Sequence, residues 1–325
     1  MASLASSRFW AAAAVLFVCS LCAPAHAQPV KHTDDLIVYA KGDALWSASA
    51  TNQEPQRLMD LPFAAEEIED IAISSNGAAL LLQGGGFVAW SRLADVAERK
   101  FRLLPCSGPS NISANGDQVV CGTQDAKRIA IYTLRPTLGV EIIDRKAAGP
   151  LHFTAAASEI FTYGDNDDLI AMSADATRVV SSHRPHSTLA VTPDGRRAIG
   201  SYNEGAIEVV YAFRLDGKAA KRTLVHAAKA IGTSADSKWA AVQQEVDACA
   251  VRIQGGQYMC WREYKALAIS SQGQSLLVSR GRGGKRDLFL GAVNGTKAKP
   301  PLPLAKDVSA SAAFWKHAAS EVPAP

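Results

Sequence analysis

Among the residues of this 325-residue chain that could do chemistry, the cysteines have the most informative spacing. Cys106, Cys121, Cys249 and Cys260 fall as two close pairs, and paired thiols in an oxidising compartment form disulfides. Joining neighbours, Cys106 to Cys121 and Cys249 to Cys260, closes short loops within single structural units and is the expected connectivity. Zinc ligation would need a C-x-x-C or Cys/His spacing that this part of the chain lacks. Cys19 and Cys22 follow Val18 and Leu21, whereas a lipidated cysteine follows a small residue, so neither is expected to carry lipid.

The remaining candidates each have a plainer reading. Asp165-Asn166-Asp167-Asp168 could offer oxygen ligands to calcium, but it lacks the spacing and distal glutamate of a calcium loop and reads as a hairpin turn. Glu66, Glu67, Glu69 and Asp70 read as a solvated loop entering a strand. The basic, glycine-rich run from Arg280 to Arg286 has neither a Walker lysine nor a strand-to-helix context, so it reads as a hairpin tip that could contact an acidic partner. His183 and His186 are close but straddle Arg184-Pro185, with no third ligand at a metal spacing. His152 lies in an apolar strand and is expected to face the interior of the fold as a structural residue. No Gly-x-Ser-x-Gly elbow is present. Trp46, Trp90, Trp239, Trp261 and Trp315 are expected to pack between sheets. No catalytic, cofactor-binding or metal residue is therefore assigned, and no cofactor is expected.

The elements that would position these residues are strands. Turns recur as Ser74-Ser75-Asn76-Gly77, Ser113-Ala114-Asn115-Gly116, Thr192-Pro193-Asp194-Gly195, Ser234-Ala235-Asp236-Ser237 and Ser270-Ser271-Gln272-Gly273, with a degenerate copy at Thr154 to Ser158. Taking Gly77, Gly116, Ala157, Gly195, Ser237 and Gly273 as equivalent, the steps are 39, 41, 38, 42 and 36 residues. Asn-Gly and Asp-Gly tolerate the positive φ of a tight antiparallel connection. Apolar strands flank them, such as Ile71-Ala72-Ile73 before a turn and Ala79-Leu80-Leu81-Leu82 after it. This period is the length of a four-stranded β-propeller blade.

An all-β propeller of about seven blades is therefore expected over residues 36–317, with six as the alternative. The last blade would combine N-terminal strands from Leu36 with a C-terminal strand within Val308 to Trp315, which removes the free edges of an open array. Residues 318–325, rich in Ala and Pro, read as a disordered tail. At the other end, Arg8, the apolar stretch Phe9 to Ala23 and Ala25-His26-Ala27 read as a signal peptide, residues 1–27, cleaved after Ala27, leaving a short segment 28–35 before the propeller. No retained membrane span is expected. The sequons Asn111-Ile112-Ser113 and Asn294-Gly295-Thr296 would matter only in a eukaryotic host. With 34 basic and 31 acidic residues, nothing in the charge balance calls for nucleic acid.

Thr192-Pro193-Asp194-Gly195-Arg196-Arg197 and the run from Arg280 through Asp287-Leu288-Phe289-Leu290 resemble the TolB-like (WD-type) propeller repeat. The resemblance implies the fold over nearly the whole exported chain, without the N-terminal domain that accompanies it in TolB. The expectation that follows is a periplasmic or secreted, monomeric propeller that binds a protein or peptide partner and acts as a scaffold rather than an enzyme. The alternative is a hydrolase or lactonase-like propeller, whose catalytic or metal residues come one per blade and leave no linear motif.

Overall fold

The structure, a computed structural model, describes residues 35–49, 54–93, 100–146, 149–154, 159–164, 168–173, 176–181, 189–192, 194–216, 222–281, 285–293, 298–308 and 312–316. The expected leader and N-terminal segment up to residue 34, the degenerate turn at 155–158, residues 165–167, His183, His186, residues 282–284, the sequon at 294–296 and the tail lie outside the described residues.

Among the described residues the chain forms seven four-stranded antiparallel sheets. Blade 1 comprises β1 (Asp35–Lys41), β2 (Ala44–Ser49) and β3 (Gln56–Asp60), completed by β28 (Ala312–Lys316). Blade 2 comprises β4 (Ile68–Ile73), β5 (Ala79–Gly84), β6 (Phe87–Arg92) and β7 (Arg102–Leu104), and blade 3 comprises β8 (Cys106–Ile112), β9 (Gln118–Thr123), β10 (Ile129–Thr133) and β11 (Gly139–Ile143). Blade 4 comprises β12 (His152–Phe153), β13 (Ile160–Tyr163), β14 (Leu169–Met172) and β15 (Thr177–Ser181), and blade 5 comprises β16 (Leu189–Val191), β17 (Arg197–Glu204), β18 (Ile207–Arg214) and β19 (Arg222–His226). Blade 6 comprises β20 (Ala228–Thr233), β21 (Trp239–Gln244), β22 (Asp247–Arg252) and β23 (Tyr258–Trp261), and blade 7 comprises β24 (Lys265–Ile269), β25 (Ser275–Arg280), β26 (Arg286–Ala292) and β27 (Leu302–Val308).

Seven blades settle the count between six and seven. Closure is made as the terminal strands suggested: β28 pairs antiparallel with β1, setting Leu36 opposite Trp315 and Tyr39 opposite Ala312. One boundary differs from expectation. Val308 ends β27, opposite Arg286, and the closing strand starts at Ala312, because the buried Val308 side chain completes the core between blades 7 and 1.

Each sheet is sandwiched between two neighbours, so the middle strands are apolar at every position rather than at alternate ones. In β5, Leu80 and Leu82 pack towards Val38, Leu45 and Met59 of blade 1, while Leu81 packs towards Val119 and Cys121 of blade 3. The same division recurs in β25, where Leu276 and Val278 face blade 6 and Leu277 faces blade 1. Every interface in the ring has its own buried cluster, which leaves no sheet face to cover.

The recurrent turns sit on one face of the ring, joining the inner to the second strand in blades 2, 3, 5, 6 and 7. Their Ser or Thr is the keystone. The Ser113 Oγ donates to Asn115 Oδ1 at 2.7 Å and accepts from the Gln118 N–H at 3.0 Å, and Asn115 Oδ1 also accepts from the Asp117 N–H at 3.2 Å. Ser74 with Asn76, Thr192 with Asp194 and Ser234 with Asp236 repeat this arrangement. Gly77, Gly116, Gly195, Ser237 and Gly273 take the positive φ that closes each turn. Adjacent turns are also tied: Asn76 Nδ2 donates to the Asn115 carbonyl at 3.0 Å, and the Asp236 N–H donates to the Ser271 carbonyl at 3.0 Å.

Removing a keystone hydroxyl strands a part-buried N–H. Ser234→Ala leaves the Trp239 N–H, now 3.0 Å from Ser234 Oγ, without its acceptor. The expected cost is about 1–2 kcal/mol, measured by urea denaturation. Retention of Ser by Thr at that position should cost less than half as much, and equal losses for the two variants would show that the hydroxyl is not what stabilises the turn.

Candidate functional site

The seven inner strands β28, β4, β8, β12, β16, β20 and β24 surround the ring axis and enclose a cavity of about 350 Å³. Ile73, Ile112, Phe153, Val191, Leu267 and Phe314 supply most of its apolar wall. Its strongest polar groups are Asp70, Asn111 and His152. Asn111 and His152 each stand two residues before the Ser or Thr of their turn, where other blades have Ala72, Ala190, Gly232 and Ala268. Small residues elsewhere at this level leave room for the amide and the imidazole of two neighbouring blades. Asn111 Oδ1 accepts from the Phe153 N–H at 3.4 Å, joining blades 3 and 4 across the channel wall.

His152 faces the channel, as expected from its strand. Its Nε2 is buried and has no hydrogen-bond partner among the described residues. Burial pushes the imidazole down to about 4, opposed by a hydrogen bond with the Leu189 backbone. Asp70 corrects an expectation. The acidic run does pass from a loop into a strand, with residues 65–67 forming one 3-10 turn and Asp70 lying on β4, but Asp70 lines the channel rather than a loop. Asp70 is exposed to the channel space, yet protein from the other inner strands surrounds it, and this burial raises its proton affinity.

The imidazole makes stability pH-dependent with a definite sign. Above the ordinary histidine pKa, His152 is neutral both folded and unfolded and contributes no slope. As pH falls from 6.5 towards about 4, the unfolded chain takes up a proton that the folded one refuses, so stability is lost, by at most about 3 kcal/mol. Asp70, with its raised folded pKa, acts in the opposite sense, but it is common to wild type and His152→Gln and cancels in their difference. Denaturation curves of the two proteins should therefore converge or cross only below pH 6.5. Parallel curves from pH 7 to 4 would refute a proton-refusing His152.

The two expected disulfides are present, Cys106–Cys121 joining β8 to β9 and Cys249–Cys260 joining β22 to β23. Each lies within a single blade. Among the described residues no group of three or more His, Cys, Asp or Glu side chains is placed to hold a metal ion. The turn residues Asn76, Gly77, Asn115, Gly116, Asp194, Gly195, Asp236 and Gly273 lie on the turn face, with their polar groups engaged in the bonds described above. Trp90 Nε1 donates to the Gly116 carbonyl at 3.0 Å and Trp261 Nε1 to the Lys299 carbonyl at 2.8 Å, so these indoles link neighbouring elements.

Sequence reasoning missed a set of clasps between blades. Six residues after the turn glycine or its equivalent stand Gln83, Ser201 and Gln243. Gln83 Oε1 accepts from Ser110 Oγ, Ser201 Oγ from the Ala230 N–H and Gln243 Oε1 from the Ala266 N–H, each at 2.8 Å and each onto the next inner strand. Gln243 Nε2 also donates to the carbonyls of Glu245, Asp247 and Tyr264. A polar residue at one fixed place in an otherwise apolar strand was the available signal.

On the face opposite the turns, Gln243 forms part of the floor of a groove of about 920 Å³ between blades 6 and 7, lined also by Glu245, Glu263, Lys265, Arg280 and Arg286. A smaller cavity of about 240 Å³ between blades 5 and 6 also touches Gln243 and Glu245, so the two hollows adjoin at these side chains and are together termed the trough.

No family model matches the chain, and no curated protein matches it. Solved structures do. TolB from Acinetobacter baumannii is 14% identical with a TM-score of 0.50, over 86% of this chain and 66% of that one, so this chain spans about two thirds of TolB. The Cps50 (Swd1) β-propeller domain of Myceliophteria thermophila is 10% identical with a TM-score of 0.57, over 77% of this chain and 91% of that one. A functionally unknown protein from Desulfotomaculum acetoxidans DSM 771 is 12% identical with a TM-score of 0.56, over 86% of this chain and 98% of that one. At such identities the likeness is one of fold. No helix among the described residues is long and apolar enough to cross a membrane, and the two disulfides fit an extracytoplasmic setting.

Proposed function

We propose that the chain is an exported binding scaffold of the cell envelope, which holds a protein or peptide partner on its loop-bearing face. The observation that carries this reading is the pair of adjoining hollows on that face, a groove between blades 6 and 7 and a smaller cavity between blades 5 and 6. It is open like a protein-docking surface, and its floor is fixed by the four hydrogen bonds of Gln243. Interaction surfaces need such rigid support, because ordering loops on binding costs affinity. The apolar channel wall and the likeness in fold to TolB accord with a binding role. In this reading the leader is removed after Ala27, the propeller acts as a monomer in the periplasm or outside the cell, and no cofactor takes part.

Native mass spectrometry of the protein isolated from its own envelope, with metal analysis of the same sample, tests the proposal. The expected result is a chain whose mass corresponds to a start at Gln28, with a stoichiometric protein or peptide partner. A chain retaining residues 1–27 would overturn export by cleavage. A stoichiometric metal without a partner would overturn the scaffold in favour of the channel as a hydrolytic centre.

A further inference from the structure

The groove between blades 6 and 7 carries more cations than carboxylates. Three cations, Lys265, Arg280 and Arg286, line it against two carboxylates, Glu245 and Glu263. Arg280 is already engaged: its Nη2 lies 2.7 Å from Glu263 Oε2, and its guanidinium stacks 5.7 Å from the Tyr264 ring centroid. Lys265 and Arg286 have no ion pair among the described residues. Burial and then repulsion by Arg286 lower the proton affinity of Lys265. Two like charges in a partly desolvated groove oppose folding, and an arriving anion relieves both.

The backbone around them is held in an uncommon form. Ala227, Glu245 and Glu263, all lining the trough, have φ of 52°, 46° and 63°, where residues other than glycine are rare. Such corners concentrate at binding sites, and two of them, Glu245 and Glu263, line the same groove as Lys265. The exposed Ile207 and Val246 stand on hairpin tips of blades 5 and 6 on the same face, giving the trough apolar neighbours.

We propose that this groove is an anion subsite which receives a carboxylate of an extended peptide segment between Lys265 and Arg286, with apolar residues of that segment lying along the trough beside Val246. The carboxylate comes from an Asp or Glu side chain or from a chain terminus. The inference rests on the scaffold reading for its partner, but its chemistry is testable separately.

Isothermal titration of the purified chain distinguishes the sources. The probes are acetyl-Leu-Glu-Leu-Glu-Leu-amide, with side-chain carboxylates alone, acetyl-Leu-Gln-Leu-Gln-Leu with a free C-terminus, and the amide of the latter as a neutral control. At least one acidic peptide is expected to bind about tenfold or more tightly than the neutral one, and the double variant K265Q/R286Q is expected to lose that advantage. The peptide that binds identifies the carboxylate. Because neither cation has an ion pair among the described residues, the double variant should melt at the wild-type temperature or above it, as removal of a repulsion requires. Equal binding of neutral and acidic peptides, unchanged binding by the variant, or no binding at about 1 mM peptide would overturn the subsite. If native cross-linking recovers the same partner with wild type and variant, the scaffold stands and the subsite falls. If no partner is recovered but acidic peptide binds through Lys265 and Arg286, the reverse holds.

Discussion

A chain ending at residue 308, which lacks β28, is expected to lose cooperative unfolding, to bind a hydrophobic dye and to self-associate. β28 is a small strand, yet it supplies the whole inner strand of blade 1. Without it, β1 exposes a row of unpaired backbone groups along Leu36 to Tyr39. Ile37, Val38 and Tyr39 are at most 1% exposed in the ring, and Ala312 and Ala313 belong to the clusters on the two sides of blade 1. Each large apolar side chain returned to water costs about 1.5–3 kcal/mol, so two or three such losses at one seam consume much of the roughly 5–15 kcal/mol that holds a typical domain. An exposed apolar edge then recruits other chains. Removal of residues 318–325, which leaves β28 intact, is the control and should change nothing. Circular dichroism melts and size exclusion of the two truncations decide the matter. A 308-residue form that unfolds at the wild-type midpoint would mean that the ring does not depend on its closing strand.

The same locality explains what could be read from the chain beforehand. Turn chemistry is local: Ser74, Asn76 and Gly77 complete one another's bonds within six residues, so their types betray the turn wherever it occurs. Repetition of that signal at blade length gave the architecture, and the cysteine pairs followed because both partners lie within one blade. The channel and the trough were harder to see because they are built between blades. Asn111 and His152 are neighbours on the ring but 41 residues apart in the chain, and Asp70 was hidden in an acidic run whose other members face elsewhere. Arg286 was noticed within the basic hairpin, as a surface that could contact an acidic partner. Lys265 was not, because an isolated lysine gains meaning only when Gln243 draws blade 7 against blade 6 and sets the two cations in one groove. Val308 reads from sequence as part of the closing strand for a related reason: a buried apolar side chain suits an outer strand that closes a core as well as an inner one.

Gly273→Ala is expected to cost about 2–5 kcal/mol, out of proportion to the addition of one methyl group, because it incurs two separate penalties. The first is conformational: φ at Gly273 is +68°, where a side chain costs about 1–2 kcal/mol. The second is steric, since a Cβ there would overlap the Trp239 indole of the preceding blade, a rigid ring at the start of β21, and overpacking costs about 1–3 kcal/mol. Gly42 separates the two, having φ of +64° but no atom near its missing Cβ, so Gly42→Ala should cost the conformational part alone. Ser237 provides the converse case in blade 6. It occupies the equivalent turn position with φ of +58°, so Ser237→Gly should stabilise the protein by about 1 kcal/mol. Urea denaturation of the three variants measures all these terms under one condition. If Gly273→Ala and Gly42→Ala lose equal stability, the indole yields and the blade 6 to blade 7 contact is soft. If the difference between them instead disappears only when Trp239 is also replaced by Leu, the overlap is the cause, and the turn glycine of blade 7 is required by its neighbour as much as by its own hairpin.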